Sequence, residues 1–134
     1  MFNIIRTRDD NKCALISDTS NVEKTVYYEH NFSAVNSLIL TEGLKKVLKK
    51  KMKMLSQTFE NLVDHSFDFL NIDLEGHDYE VLKIIDLNKY KPKLICIEIL
   101  ENSKDKDKIF SHMQKNAFEL KKICKVSYFF ENTN

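Results

Sequence analysis

The sequence is poor in glycine: Gly43 and Gly76 are the only two among 134 residues. No G-x-G pattern occurs, so the chain encodes no glycine-rich turn whose backbone N–H groups can close on a nucleotide-type cofactor. A single proline, Pro92, and no Pro- or Gly-rich stretch leave no linker, and there are no repeats or low-complexity segments. Met1 to Arg8 turns charged too soon to read as a secretory leader. No apolar run approaches the ~20 residues that span a bilayer. Cys13, Cys96 and Cys124 are far apart and lack metal or redox spacing. They read as buried free thiols in a reducing compartment, which makes a cytoplasmic location the expectation. The 21 basic and 20 acidic residues nearly cancel, so no global field favours nucleic acid or a membrane surface. The densest charge run, Lys45, Lys46, Lys49, Lys50, Lys51 and Lys53, has no interleaved aromatics and reads as a solvated face. No nucleophile elbow, phosphate loop or zinc spacing is present.

What is present is one α/β domain organised around Phe69 to Leu82. Phe69 to Ile72 is short and apolar, as a buried parallel strand is, and Val81, Leu82 and Ile85 follow at helical spacing. Between them lie Asp73, Glu75, Gly76, His77 and Asp78, with Gly76 allowing a tight turn and Asp78 placed to cap the helix. Leu94 to Glu98, after Pro92, completes a β-α-β unit whose strands are expected to be adjacent, buried and parallel. The acids then gather at the carboxyl end of the strand, where open α/β sheets place ligands; Glu98 ends the next strand on the same side.

Three readings of Asp73, Glu75 and His77 compete. Continued strand alternation would put all three on one face, where they could hold a divalent ion; Gly76 argues against a continued strand, and no metal site is expected. One of them could instead take a proton from a substrate hydroxyl. Or the carboxylates hold the turn by accepting backbone N–H groups near the positive helix end. His77 itself is expected to be exposed, and His30, His65 and His112 have no partners at ligand spacing.

Elsewhere, Lys12 to Ser17 and Val22 to Tyr28 read as strands joined through the turn cluster Asp18 to Asn21, forming a hairpin. Thr41 to Lys50 has helical spacing, with Leu44, Val47 and Leu48 on one face. Lys51 to Leu55 alternates as an exposed or edge strand does. Thr58 can cap a short helix carrying Phe59, Leu62 and Val63. Lys104 to Lys115 is a helix with Ile109, Phe110 and Met113 inward, and Leu120 to Phe130 supplies a final strand.

The ordered set Asn71-Ile72-Asp73-Leu74-Glu75-Gly76, Tyr79-Glu80-Val81-Leu82-Lys83, Lys91-Pro92-Lys93 and Ile97-Glu98 resembles the FkbM family of methyltransferases. The likeness extends from about Cys13 to Phe130; Ala14 to Asp18 matches an Ala-Leu-Ser-Asp strand end, and Thr58-Phe59-Glu60 stands where the family has Thr-Leu-Asp. The resemblance implies a partial Rossmann-like class I methyltransferase fold, a mixed, mostly parallel sheet lacking its first strands. The whole chain, 1–134, is then a domain incomplete at its N-terminus and, before the family's last antiparallel strand, at its C-terminus. It implies S-adenosylmethionine as cofactor, with Ser17 and Asp18 near its adenine, and Asp73, Glu75 and His77 beside the transferring methyl group. The acceptor implied is a hydroxyl on a small molecule or glycan, and another chain would supply the missing strands. Two alternatives stay open: a catalytically inactive relative serving as a binding or assembly module, and an unrelated α/β nucleotide-binding or phospho-carrier-like domain.

Overall fold

Alternating and apolar segments sort this chain into two four-stranded sheets with short helices between them. The computed structural model describes residues 9–10, 12–30, 36–38, 40, 42–74 and 76–134. The first sheet holds β1 (Leu15–Ile16), β2 (Glu23–Tyr28), β3 (Asn36–Ser37) and β4 (Lys50–Gln57), in the order β1-β4-β2-β3. The second holds β5 (Phe69–Ile72), β6 (Leu94–Glu98), β7 (Phe118–Cys124) and β8 (Ser127–Asn132), in the order β5-β6-β8-β7. The helices are α1 (Phe59–Leu62), α2 (Asp78–Leu82), α3 (Leu87–Tyr90) and α4 (Lys106–Lys115).

The single, mostly parallel sheet expected from the sequence is therefore corrected to two mixed sheets. Only β1–β4 and β5–β6 are parallel, whereas β2–β3, β2–β4, β6–β8 and β7–β8 are antiparallel. The hairpin expected between Lys12–Ser17 and Val22–Tyr28 does not form, because β4 lies between β1 and β2. The Asp18–Asn21 turn passes over the end of β4 and is fastened there by Ser56. The buried Ser56 hydroxyl donates to the Thr19 carbonyl (2.6 Å) and accepts from the Val22 N–H (3.2 Å). Its backbone exchanges bonds with Val22 and Asn21. β4 is accordingly an interior strand rather than an edge, though largely exposed on its faces, and its Lys53 pairs with Glu23 of β2 at 2.7 Å.

The helix expected over Thr41–Lys50 reduces to a 3-10 turn at Leu44–Lys46. Of its apolar stripe only Leu48 is buried, Val47 remaining exposed, so a longer helix would have had no face to bury. The final strand expected over Leu120–Phe130 is instead the β7–β8 hairpin, turned at Lys125 with φ +56°. The second sheet thus ends in an antiparallel pair, β7–β8.

β5 and β6 are adjacent and parallel, in register Phe69↔Leu94 to Ile72↔Ile97. β5 is nevertheless an edge strand with Phe69 52% exposed, which corrects the expectation that both strands are buried. Between them, α3 is capped by Asp86, whose Oδ1 accepts from Asn88 and Lys89 N–H (3.0 Å each). The helix stops where Lys91 turns left-handed (φ +50°) ahead of buried Pro92.

One core lies on the second sheet. Leu82, Ile95, Ile97, Ile109, Met113 and Phe130 are essentially excluded from water, each such side chain stabilising the fold by about 1.5–3 kcal/mol. Phe59, Phe67 and Tyr90 close it with ring centroids 5.2–6.1 Å apart. Ile16 of β1 packs against the same core and ties the first sheet to the second. Of the cysteines, only Cys96 is buried; Cys13 and Cys124 are exposed, contrary to expectation. Among the described residues no helix is long and apolar enough to cross a membrane. The apolar patch of Met1–Asn11 (Phe2, Ile4, Ile5) and most of the Asn31–Ser37 loop lie outside the described residues.

Candidate functional site

The site grows from the carboxyl end of β5. Ile72 is buried, Asp73 and Leu74 emerge into solvent, and Gly76 turns the chain with φ +93°, a conformation that L side chains rarely adopt. Asp78, nearly buried, holds this turn rather than capping the helix as the sequence suggested. Its Oδ1 accepts from the Leu74 N–H at 2.9 Å and its Oδ2 from the Gly76 N–H at 3.1 Å. The His77 N–H bonds back to the Leu74 carbonyl at 3.2 Å. A carboxylate here also faces the positive end of α2. Asp78 thus takes the turn-stabilising role that the sequence assigned to Asp73 and Glu75, which leaves the exposed Asp73 out of the turn's bonding.

Asp73 stands close enough to β6 for its charge to reach Cys96. Burial pushes the Cys96 thiol up, the Asp73 carboxylate adds to that, and a hydrogen bond with Ser127 opposes both. A thiol so placed stays protonated and inert. Glu98, half-buried, ends β6 opposite Ser127. Glu75 lies outside the described residues. His77 is half-buried rather than exposed, and its Nε2 is enclosed with no hydrogen-bond partner among the described residues.

Ser17 and Asp18 sit at the carboxyl end of β1. The buried Ser17 hydroxyl donates to Asp18 Oδ1 (3.0 Å) and accepts from Lys24 Nζ (2.6 Å), while the Thr19 hydroxyl also reaches Asp18 Oδ1 (3.3 Å). The Ser17 hydroxyl above all holds the Asp18 carboxyl below its ordinary value; desolvation opposes it, and Thr19 and Lys24 add to the lowering. Asp18 also contributes to raising Lys83 on α2, although the main cause there is the bond to Glu80. The β1 end and the strand–turn–helix are thereby brought toward one another.

Between them is a cavity of about 510 Å³. One side is a face of the first sheet, with Val26 and Tyr28 of β2 and Met52 and Met54 of β4; the other is Leu74, His77 and Val81. Of the residues singled out from the sequence, His77 lines it, whereas Ser17, Asp18 and Asp73 do not. The wall was missed in the sequence although its signal was there: 26/28 and 52/54 are period-two pairs, and Val26 lies directly across from Met52. Among the described residues no group of His, Cys, Asp and Glu is arranged to hold a metal ion.

No curated protein and no solved structure matches the chain. A family model does, the methyltransferase FkbM domain, over residues 7–120. The match takes in β1, the β5 strand end, its turn and α2, and runs into β7. This chain belongs to the FkbM methyltransferase family.

Proposed function

We propose that the chain carries the acceptor side of an S-adenosylmethionine-dependent O-methyltransferase acting on a hydroxyl of a small molecule or glycan. The acceptor-side roles go to Asp73, Glu75 and His77, one of which takes the hydroxyl proton as the oxygen becomes nucleophilic. Ser17 and Asp18 mark the adenine side. The observation that carries this reading is the convergence of the β1 end and the β5–α2 turn of a family member on one cavity.

The residues described do not by themselves fit the cofactor. Gly43 lies at a 3-10 turn with φ −66° and Gly76 heads a five-residue helix, so neither presents a run of backbone N–H groups to an amino-acid moiety. Among the described residues the cavity wall carries no Asp or Glu for ribose hydroxyls. Another polypeptide is the proposed source of the glycine loop and its strands, and only the acceptor-side roles are assigned to this chain.

The test is depletion and add-back. An extract of the cells that make the chain, stripped of it with an antibody, is supplied with methyl-labelled S-adenosylmethionine and hydroxyl acceptors. Purified chain is expected to restore label transfer, and Asp73→Asn to restore less than about a tenth of it, within the 10²–10⁴ range of proton-transfer contributions. Failure of the wild-type chain to restore transfer would overturn the reading in favour of an inactive binding module.

A further inference from the structure

The cavity between the first sheet and α2 is chemically one-sided. Val26, Met52, Met54 and Val81 give it apolar walls, and the methionines can adjust their shape to what lies against them. At about 510 Å³ it falls in the range of small-molecule sites. Of its polar lining, His30, Asn36 and Ser37 already have interactions. His77 Nε2 does not: it is enclosed and unpartnered among the described residues. Leaving such an atom unsatisfied is costly, and a hydrogen-bonding group brought into the cavity would recover that cost. His χ2 is soft, so the ring can turn Nε2 from the wall toward such a group. The Tyr28 hydroxyl is the other polar group of the described wall, so a sugar would bring more hydroxyls than this mostly apolar lining can satisfy, at a desolvation cost for each left over.

We propose that this cavity binds an apolar hydroxyl compound, an alkyl-substituted phenol or alcohol, whose hydrocarbon lies against Val26, Met52 and Met54 and whose hydroxyl meets His77 Nε2. The inference rests on the acceptor reading for the fate of the hydroxyl, and it narrows the acceptor from hydroxyl compounds in general to apolar ones. Binding itself needs no methyl transfer and is tested separately.

The probe is 4-hexylphenol, titrated into the ¹⁵N-labelled chain beside 4-hexylanisole and glucose, with amide and imidazole signals followed. Saturable binding of the phenol is expected, with shifts at Val26, Met52 and His77. It should bind about tenfold more tightly than the anisole, which cannot donate to Nε2, and glucose should not bind. His77→Phe should erase the preference for the phenol while keeping the anisole's affinity. Met52→Glu, at a half-exposed position that tolerates polarity, should weaken both by tenfold or more with the remaining amide spectrum intact. Equal affinity of phenol and anisole for the wild-type chain, binding of glucose, or no saturable binding would each overturn the proposal. The two readings fail separately. A phenol that binds as described but takes no label in the add-back assay overturns the acceptor reading and leaves the cavity assignment. Label transfer to sugars without phenol binding does the reverse.

Discussion

At the scale of single residues, the same turn shows what a sequence discloses and what it withholds. Gly76 announces a tight turn because φ +93° admits few other residues, and the turn is where the sequence puts it. Which carboxylate serves that turn is not announced. Asp73, Glu75 and Asp78 stand within six positions, and only the fold decides that Asp78 points back to the Leu74 and Gly76 N–H groups. His112 was legible only as a histidine without partners. In the structure its ring packs edge-on against Tyr79 with Nε2 enclosed and without a hydrogen-bond partner among the described residues, and burial, then Lys115, holds its pKa below the ordinary value. The sign of the consequence is fixed. As pH falls from above the ordinary histidine pKa, the unfolded chain takes up a proton before the folded one does. Stability contributed by neutral His112 is full above the ordinary pKa and is lost as pH drops toward the depressed one. Thermal melts at pH 7.5 and 5.5 should show wild type losing more of its Tm on acidification than His112→Phe, which keeps the packing and does not titrate. Equal losses would remove His112 as the cause.

Among the elements, β5 has the most exposed consequences. It pairs with β6 on one side and has no strand partner among the described residues on the other, with Phe69 half in solvent. Such an edge offers backbone groups to another strand. Asp68 and Asp73 bracket it: two copies pairing antiparallel about Leu70 and Asn71 set Asp68 opposite Asp73 at both ends, and like charges so placed are destabilising. The wild-type chain is therefore expected to self-associate only weakly as its concentration rises, and Asp68→Asn/Asp73→Asn to raise the association constant about tenfold, the equivalent of roughly 1.4 kcal/mol. Light scattering across a concentration series checks this; no difference between the two would show that the carboxylates do not guard the edge. The β5–β6 pairing, α4 and the short helix at Phe59 were legible because each follows from a local pattern. The neighbours of β1 were not. Two β-like runs joined by a turn cluster read as a hairpin, and nothing local says that a third strand 30 residues on will fill the space between them. That outcome rests on Ser56, a buried hydroxyl in a strand that otherwise looks solvated.

Over the whole molecule, β1 stands at one edge of the first sheet and β5 at one edge of the second, among the described residues. The resemblance calls for a glycine-rich loop at the cofactor, and the sequence has two glycines and no G-x-G. The isolated chain is expected not to bind S-adenosylmethionine usefully. Calorimetric titration giving a micromolar Kd, about −8 kcal/mol, would mean that residues other than a glycine loop hold the cofactor. The placement of the thiols adds something of a different kind. Cys13 is exposed and lines the cavity, Cys124 is exposed on the β7–β8 hairpin of the other sheet, and Cys96 is buried with its thiol pushed up. The chain is thereby furnished with its own footprinting reagent site and its own internal standard: alkylation at Cys13 slows when the cavity fills, while alkylation at Cys124 keeps time.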